Sequence, residues 1–187
     1  NLTEVNASNV KDQADLEARV SAASFLGTLQ AGYTDFHYLR EVWRKATEKD
    51  ALLGVSMTGI ASNVVEHLDL EMAAYEVKKE NEKVAKLIGI KPATRTTCVK
   101  PAGTTSLVLG TSSGIHAWHN DYYIRRLRVG KNEAIYDYLV RNNPELIEDE
   151  FFNPTEQAVI SIPQQAPKDA ITRHESVFDL LERVKNF

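Results

Sequence analysis

One short segment, residues 100–106, restricts the folds open to this chain because it concentrates turn-forming and small residues. Its sequence is Lys-Pro-Ala-Gly-Thr-Thr-Ser. Glycine permits unusual dihedral angles and a close approach of the backbone, and proline fixes φ while being tolerated in a first helical turn. Because N–H groups at a helix start attract anions, the segment predicts a loop that wraps around phosphate. An ordinary turn with a hydroxyl cap before an apolar helix explains the same residues.

Predicted strands and helices alternate along the chain, which favours an α/β fold. The strands are expected at residues 2–5, 96–99, 122–129 and 158–162. The helices are expected at residues 12–31, 36–48, 69–87, 132–141 and 175–184. In the second helix, the apolar side chains of Leu39, Val42 and Trp43 share one face and are expected to point inward. With 187 residues and 43% hydrophobic content, the chain predicts one domain spanning residues 1–187.

Charge and cysteine content exclude several classes of protein. The formal net charge of −4 argues against a surface for polymeric DNA or RNA, which normally carries a basic stripe. No apolar stretch is long enough to span a bilayer, and no charged and then apolar leader opens the chain. The single cysteine, Cys98, excludes an internal disulfide framework. We therefore expect a cytoplasmic protein that meets nucleotides only as monomers and does not bind membranes.

The stretch from residue 95 to residue 128 closely resembles the catalytic subunit of adenosylcobalamin-dependent (class II) ribonucleotide reductases. It joins the 100–106 segment to Gly114-Ile115-His116 and to Tyr-Tyr-Ile-Arg-Arg at residues 122–126. Residues 1–5, 53–59 and 158–167 resemble further segments of the same family in the same order. The resemblance covers essentially the whole chain. It implies an interior fragment that forms part of a ten-stranded α/β barrel.

The resemblance also implies an activity. Enzymes of this family convert ribonucleotides to 2′-deoxyribonucleotides by radical chemistry, and residues 122–126 are closer to the branch that uses triphosphates. Adenosylcobalamin would generate a cysteine radical in the intact enzyme, and a thioredoxin-type reductant would restore its cysteine pair. The radical and redox cysteines are expected outside this chain, so no catalytic residue is assigned within it. The fragment alone is expected to be inactive without the rest of the reductase chain.

The substrate site follows from the same matched motifs. The residues expected to hold the substrate phosphates, through backbone N–H groups and hydroxyls, are Pro101, Ala102, Gly103, Thr104, Thr105 and Ser106. Lys100 either adds a positive charge nearby or is an exposed strand end. The residues that match the segment lining the substrate pocket are Gly114, Ile115 and His116. His116 and His119 lack a cysteine or carboxylate at metal-binding spacing, so no metal site is expected.

The roles of two residues, Cys98 and Glu4, and two alternative functions also have to be considered. Cys98 either has a thiolate stabilised by Lys100 or Arg95, or packs inward from a strand, and its alternating position favours packing. Glu4 is given no catalytic role, although its spacing from Asn1 mimics the Asn…Cys…Glu triplet of the family. The chain could instead be a non-catalytic nucleotide- or phosphate-binding module. It could also be a helical scaffold in which residues 101–106 only cap a helix.

Overall fold

The computed structural model describes all 187 residues, Asn1–Phe187. The chain folds into two compact units. The first unit comprises Asn1–Trp118 and Lys168–Phe187, and the second comprises His119–Pro167. Both units combine helices with a small sheet, so the predicted α/β class is confirmed. None of the helices combines the length and the apolar character that crossing a bilayer requires.

The first unit contains two strands, five helices and two short 3-10 turns. In chain order its strands and helices are β1 (Leu2–Asn6), α1 (Gln13–Ala31), α2 (Glu41–Asp50), β2 (Gly54–Thr58), α3 (Leu70–Ile88), α4 (Thr104–Val108) and, after the second unit, α6 (Val177–Asn186). The second unit contains β3 (Tyr122–Gly130), α5 (Ala134–Asn142), β4 (Ile147–Asp149) and β5 (Gln157–Gln165). The long predicted helices over 12–31 and 69–87 are confirmed to within one residue at each end.

A short parallel sheet forms the centre of the first unit. Strands β1 and β2 pair in parallel from Leu2 opposite Gly54 to Asn6 opposite Thr58. The chain beyond α3 joins the other side of β2 through one parallel bridge between Val55 and Thr97. The strand predicted at 96–99 is therefore reduced to this bridge, because pairing with β2 ends just before the 100–106 segment begins.

Helices α1 and α3 cover one face of the parallel sheet. Leu16 and Val20 of α1 and Val77 of α3 are buried against Val5 and Val55 of the two strands. Burial of this apolar face stabilises the unit, since each fully buried aliphatic side chain contributes roughly 1.5–3 kcal/mol.

Polar side chains at the ends and in the interior fix the position of these two helices. Asp12 and Asp69 cap the amino ends of α1 and α3. Gly89 ends α3 with φ of +77°, as its place in the sequence predicts. The buried Asn81 of α3 donates to Thr28 Oγ1 at 2.9 Å and accepts from the amide of Ala93 at 2.8 Å. This side chain ties α3 both to α1 and to the chain that returns toward β2.

Helix α2 contradicts one sequence expectation. Leu39, Val42 and Trp43 were expected to point inward, but their side chains are 51%, 59% and 53% exposed. Leu39 also precedes the helix, which begins at Glu41. The prediction was wrong because helical periodicity identifies an apolar face without supplying an element to cover it.

The second unit is an antiparallel sheet with one helix. Its strand order is β3-β5-β4, and β3 pairs with β5 from Tyr122 opposite Gln165 to Gly130 opposite Gln157. Val129, Ala158 and Ile160 form its core, against Tyr136 and other side chains of α5. The predicted strands at 122–129 and 158–162 are confirmed. The three-residue strand β4 was not predicted, since it is too short for an alternating pattern to be recognised.

Candidate functional site

The 100–106 segment lies where the third parallel chain leaves the sheet. Because β1, β2 and the bridge at Thr97 run in parallel, their carboxyl ends meet at one edge, and the segment begins at that edge. Clefts at the carboxyl ends of parallel strands are the usual ligand sites of α/β folds. Ala102 and Ser106 are buried, while Gly103 and the hydroxyl-bearing Thr104 and Thr105 are exposed. Pro101 is also exposed.

Serine side chains fix the shape of this segment from within. Ser106 Oγ donates to the carbonyl oxygen of Ala102 at 2.6 Å and lies 2.8 Å from that of Gly103. Ser113 Oγ also donates to the carbonyl of Ala102, at 2.5 Å, and accepts from its amide at 3.2 Å. The Ser106 hydroxyl is therefore engaged within the segment itself. No side chain caps α4 at Gly103, so the first amides of that helix have no side-chain acceptor.

The two predicted site motifs touch through their backbones. A Cβ atom placed on Gly114 would lie 2.1 Å from the carbonyl oxygen of Lys100 and 3.2 Å from the nitrogen of Ala102. Gly114 also has φ of +56°, which glycine adopts without strain. Only a residue without a side chain allows this approach, so the backbone at Gly114 packs directly against residues 100–102.

Thr58, the last residue of β2, holds Gly114 in place. Its hydroxyl accepts from the amide of Gly114 at 2.9 Å and donates to the carbonyl of Ser112 at 3.0 Å. Sequence reasoning did not single out Thr58 or Ser113. A hydroxyl residue at the carboxyl end of a parallel strand would have been a signal for Thr58, whereas nothing local marks Ser113.

The other two residues of the predicted pocket segment have different surroundings. Ile115 is buried in the core of the first unit. His116 is exposed, and its Nδ1 lies 3.3 Å from the carbonyl oxygen of Ser113. Across the 187 described residues, no group of three or more His, Cys, Asp or Glu side chains could hold a metal ion. Of the three predicted pocket residues, Gly114 packs against Lys100 and Ala102 of the 100–106 segment.

Lys100 forms an ion pair with Glu4 of β1. The Glu4 side chain is only 5% exposed and that of Lys100 is 24% exposed. The second carboxylate oxygen of Glu4 is buried and has no hydrogen-bond partner. Since these residues are 96 positions apart, no local pattern could have predicted the pair. The positive charge of Lys100 is therefore already balanced by a carboxylate beside the segment.

Cys98 lies two residues before Lys100 and packs beside Gly54. A Cβ atom on Gly54 would be 2.9 Å from Cys98 Sγ. Burial raises the pKa of the Cys98 thiol, and the nearby charge of Lys100 opposes that rise only in part. A protonated, half-buried thiol is a poor nucleophile. These features favour a packing role for Cys98.

The first unit also contains an apolar cavity of about 320 Å³. It lies between β2, α3 and residues 97–99, and is lined mainly by aliphatic side chains such as Val55, Val77 and Val99. No residue of the 100–106 segment and none of Gly114, Ile115 and His116 lines it. An apolar cavity of this kind does not suit a phosphate group, because burying a charge without polar partners is costly.

The relatives found by comparison with known proteins are all adenosylcobalamin-dependent ribonucleoside-triphosphate reductases by name. No protein-family model matches the chain. A probable adenosylcobalamin-dependent ribonucleoside-triphosphate reductase of Dictyostelium discoideum is 32% identical over 130 residues, which cover 66% of this chain and 17% of that protein. The adenosylcobalamin-dependent ribonucleoside-triphosphate reductases of Euglena gracilis and Levilactobacillus brevis are each 28% identical over 53% of this chain. The chain spans only 15–17% of the length of these three curated relatives.

One solved structure has the same fold. The crystal structure of a B12-dependent (class II) ribonucleotide reductase superposes on the chain with a TM-score of 0.75 and a sequence identity of 17%. The superposition covers 98% of this chain and 30% of the crystallised chain.

Proposed function

We propose that this chain contributes the substrate phosphate-binding segment of an adenosylcobalamin-dependent ribonucleotide reductase. The chain is homologous to part of these enzymes, as its motifs predict. The intact protein would convert ribonucleotides, with triphosphates as the expected form, to 2′-deoxyribonucleotides for DNA synthesis. The observation that carries this proposal is the direct backbone contact between residues 100–102 and Gly114 at the carboxyl edge of the parallel sheet.

The residues of the segment have separate tasks in this proposal. The uncapped amides that follow Gly103 and the exposed hydroxyls of Thr104 and Thr105 bind the phosphate oxygens. Ser106 and Ser113 hold the carbonyl of Ala102 and thereby set the curvature of the loop. Since Glu4 balances Lys100, binding depends mainly on backbone and hydroxyl dipoles rather than on a free cation.

The radical chemistry itself is assigned to other parts of the intact enzyme. Adenosylcobalamin supplies the radical in this family. Sites for drug-sized ligands measure roughly 300–1,000 Å³, and the apolar cavity of about 320 Å³ is too small for a corrin cofactor. With Cys98 as its one thiol, the chain also lacks a reducing pair. The radical cysteine, the pair and the contact with a thioredoxin-type reductant belong elsewhere, and the chain alone is inactive.

We further propose that the chain is part of a ten-stranded α/β barrel within a single cytoplasmic catalytic domain. The parallel pairing of β1 and β2, the parallel bridge at Thr97 and the helices α1 and α3 on one face of the sheet support this arrangement. A non-catalytic phosphate-binding module and a helical scaffold are less favoured, because the relatives and the matching fold are reductases.

Titration of the chain with each of the four ribonucleoside triphosphates tests the proposed phosphate site. We expect the amide NMR signals of residues 103–106 to shift on binding. Gly103→Asp should abolish the shifts, because it places a carboxylate in the path of the phosphate. The space around Gly103 is open and its φ is −75°, so a side chain fits there without a clash.

Gly103→Asn is the matched control, since it has nearly the same size without the charge. It should retain most of the binding. Unchanged spectra of the wild-type chain at millimolar concentrations of all four nucleotides would contradict the proposal and favour the scaffold.

A further inference from the structure

The ion pair between Glu4 and Lys100 lies at the point where the 100–106 segment leaves the sheet. Glu4 is directly opposite Ser56 in the β1–β2 register, and Thr97 bridges to Val55 on the other side of β2. Lys100 therefore reaches across β2 to meet a carboxylate on β1. The pair connects the outermost strand of this small sheet to the first residue of the segment.

Because the ion pair between Glu4 and Lys100 is largely buried, its loss is costly. The side chain of Glu4 is only 5% exposed, and Lys100 is the one partner found for its carboxylate. Breaking a buried pair by removing one partner is strongly unfavourable, because the other charge is left without compensation. Glu4 thus restricts where Lys100 lies. The carbonyl of Lys100 in turn packs against Gly114.

We propose that Glu4 is a positioning residue for the phosphate site, acting through Lys100. It does not touch the ligand. It fixes the start of the 100–106 segment, so that the amides after Gly103 face a bound phosphate in the correct direction. This inference rests on the proposed phosphate-binding function, and it gives Glu4 a task that its position in the sequence does not reveal.

The sign of one substitution separates positioning from simple electrostatics. If Glu4 were only a negative charge close to an anion site, Glu4→Gln would strengthen the binding of phosphate and release Lys100 to attract it. If Glu4 positions the segment, Glu4→Gln weakens binding although it removes a negative charge. We expect a loss of about fivefold or more, the size usual for coupling between separate sites.

The experiment uses the chain itself and inorganic triphosphate, which avoids any dependence on the base. The dissociation constant is measured for the wild-type chain, Glu4→Gln, Lys100→Met and the double variant. Glu76→Gln is the matched control, since it removes the same charge from an exposed pair with Lys79. It should bind triphosphate like the wild type. In the Lys100→Met background, Glu4→Gln should cause no further loss, because Glu4 acts only through Lys100.

Hydrogen exchange gives a second measurement that does not need a ligand. Glu4→Gln should speed the exchange of the Ala102 amide, which donates to Ser113 Oγ, more than that of amides in α1 and α3. Equal or tighter triphosphate binding by Glu4→Gln, or unchanged exchange at Ala102, would overturn the inference. Absence of binding by the wild-type chain, with faster exchange at Ala102 in Glu4→Gln, would instead overturn the proposed function.

Discussion

Gly114→Ala is the substitution that most directly tests the contact between the two site motifs. The new Cβ atom would lie 2.1 Å from the carbonyl oxygen of Lys100, whereas real Cβ atoms keep at least 3.0 Å from such neighbours. The backbone of residues 100–102 would have to move by about 0.9 Å to restore that separation. Because the obstacle is backbone rather than a flexible side chain, the 100–106 segment itself must shift.

Two separate costs determine the expected size of the effect. A residue other than glycine in the left-handed region costs roughly 1–2 kcal/mol. Inserting a methyl group into a tightly packed site costs typically about 1–3 kcal/mol more. Gly114→Ala should therefore lower the free energy of unfolding by about 2–5 kcal/mol. Displacing the segment by nearly 1 Å should also weaken triphosphate binding by about tenfold or more.

Gly89→Ala separates the two costs. Gly89 also has positive φ, +77°, but a Cβ atom there would meet nothing within 4 Å. It should cost only about 1–2 kcal/mol and leave triphosphate binding unchanged. Urea unfolding and triphosphate titration of both variants measure these effects. If Gly114→Ala were no more destabilising than Gly89→Ala and bound triphosphate like the wild type, the described contact would be wrong.

Two further predictions concern titrating groups. The carboxylate of Glu150 accepts from the amide of Asn153 and from Arg128, which holds its pKa below the ordinary 4.5; its stabilisation is therefore present above about pH 4.5 and is lost as the pH falls through the lowered pKa. Urea unfolding at about pH 7 and about pH 3 should show a smaller acid-induced loss for Glu150→Gln than for the wild type, and an equal loss would contradict this account. Burial raises the pKa of the Cys98 thiol and Lys100 opposes the rise, so Lys100→Met should slow alkylation by iodoacetamide at about pH 8. Faster alkylation of that variant would refute the assigned balance.

The predicted helices and strands show how far local pattern reaches. The apolar stripes of α1 and α3 and the stop at Gly89 were predicted from spacing and composition, because these features depend on neighbours three or four residues away. The exposure of Leu39, Val42 and Trp43 was not predicted, since the covering of an apolar stripe depends on elements that are distant in sequence. The strand expected at 96–99 was reduced to a bridge for the same reason, because its extent depends on pairing with β2, which is distant in sequence.

The family resemblance could also be recognised from the sequence, since the motifs at 100–106 and 114–116 are contiguous and occur in the same order as in the family. It identified both site segments but could not distinguish the tasks of their residues. Ser106 was expected to reach the phosphate, and that role remains a prediction, yet its hydroxyl bonds to carbonyls of the segment itself. Hydroxyl direction depends on the turn of the backbone, which a motif does not specify.

The sequence by itself determined the α/β class, the two long helices, the family resemblance and the presence of a small-residue segment suited to phosphate. These follow from interactions between residues that are close along the chain, or from motifs that are themselves contiguous. Only the tertiary structure decided that Gly114 lies against Lys100, that Thr58 fixes Gly114, and that Glu4 balances the charge of Lys100. Each of those contacts joins residues more than ten positions apart in the sequence, and packing at that range leaves no local periodic signal.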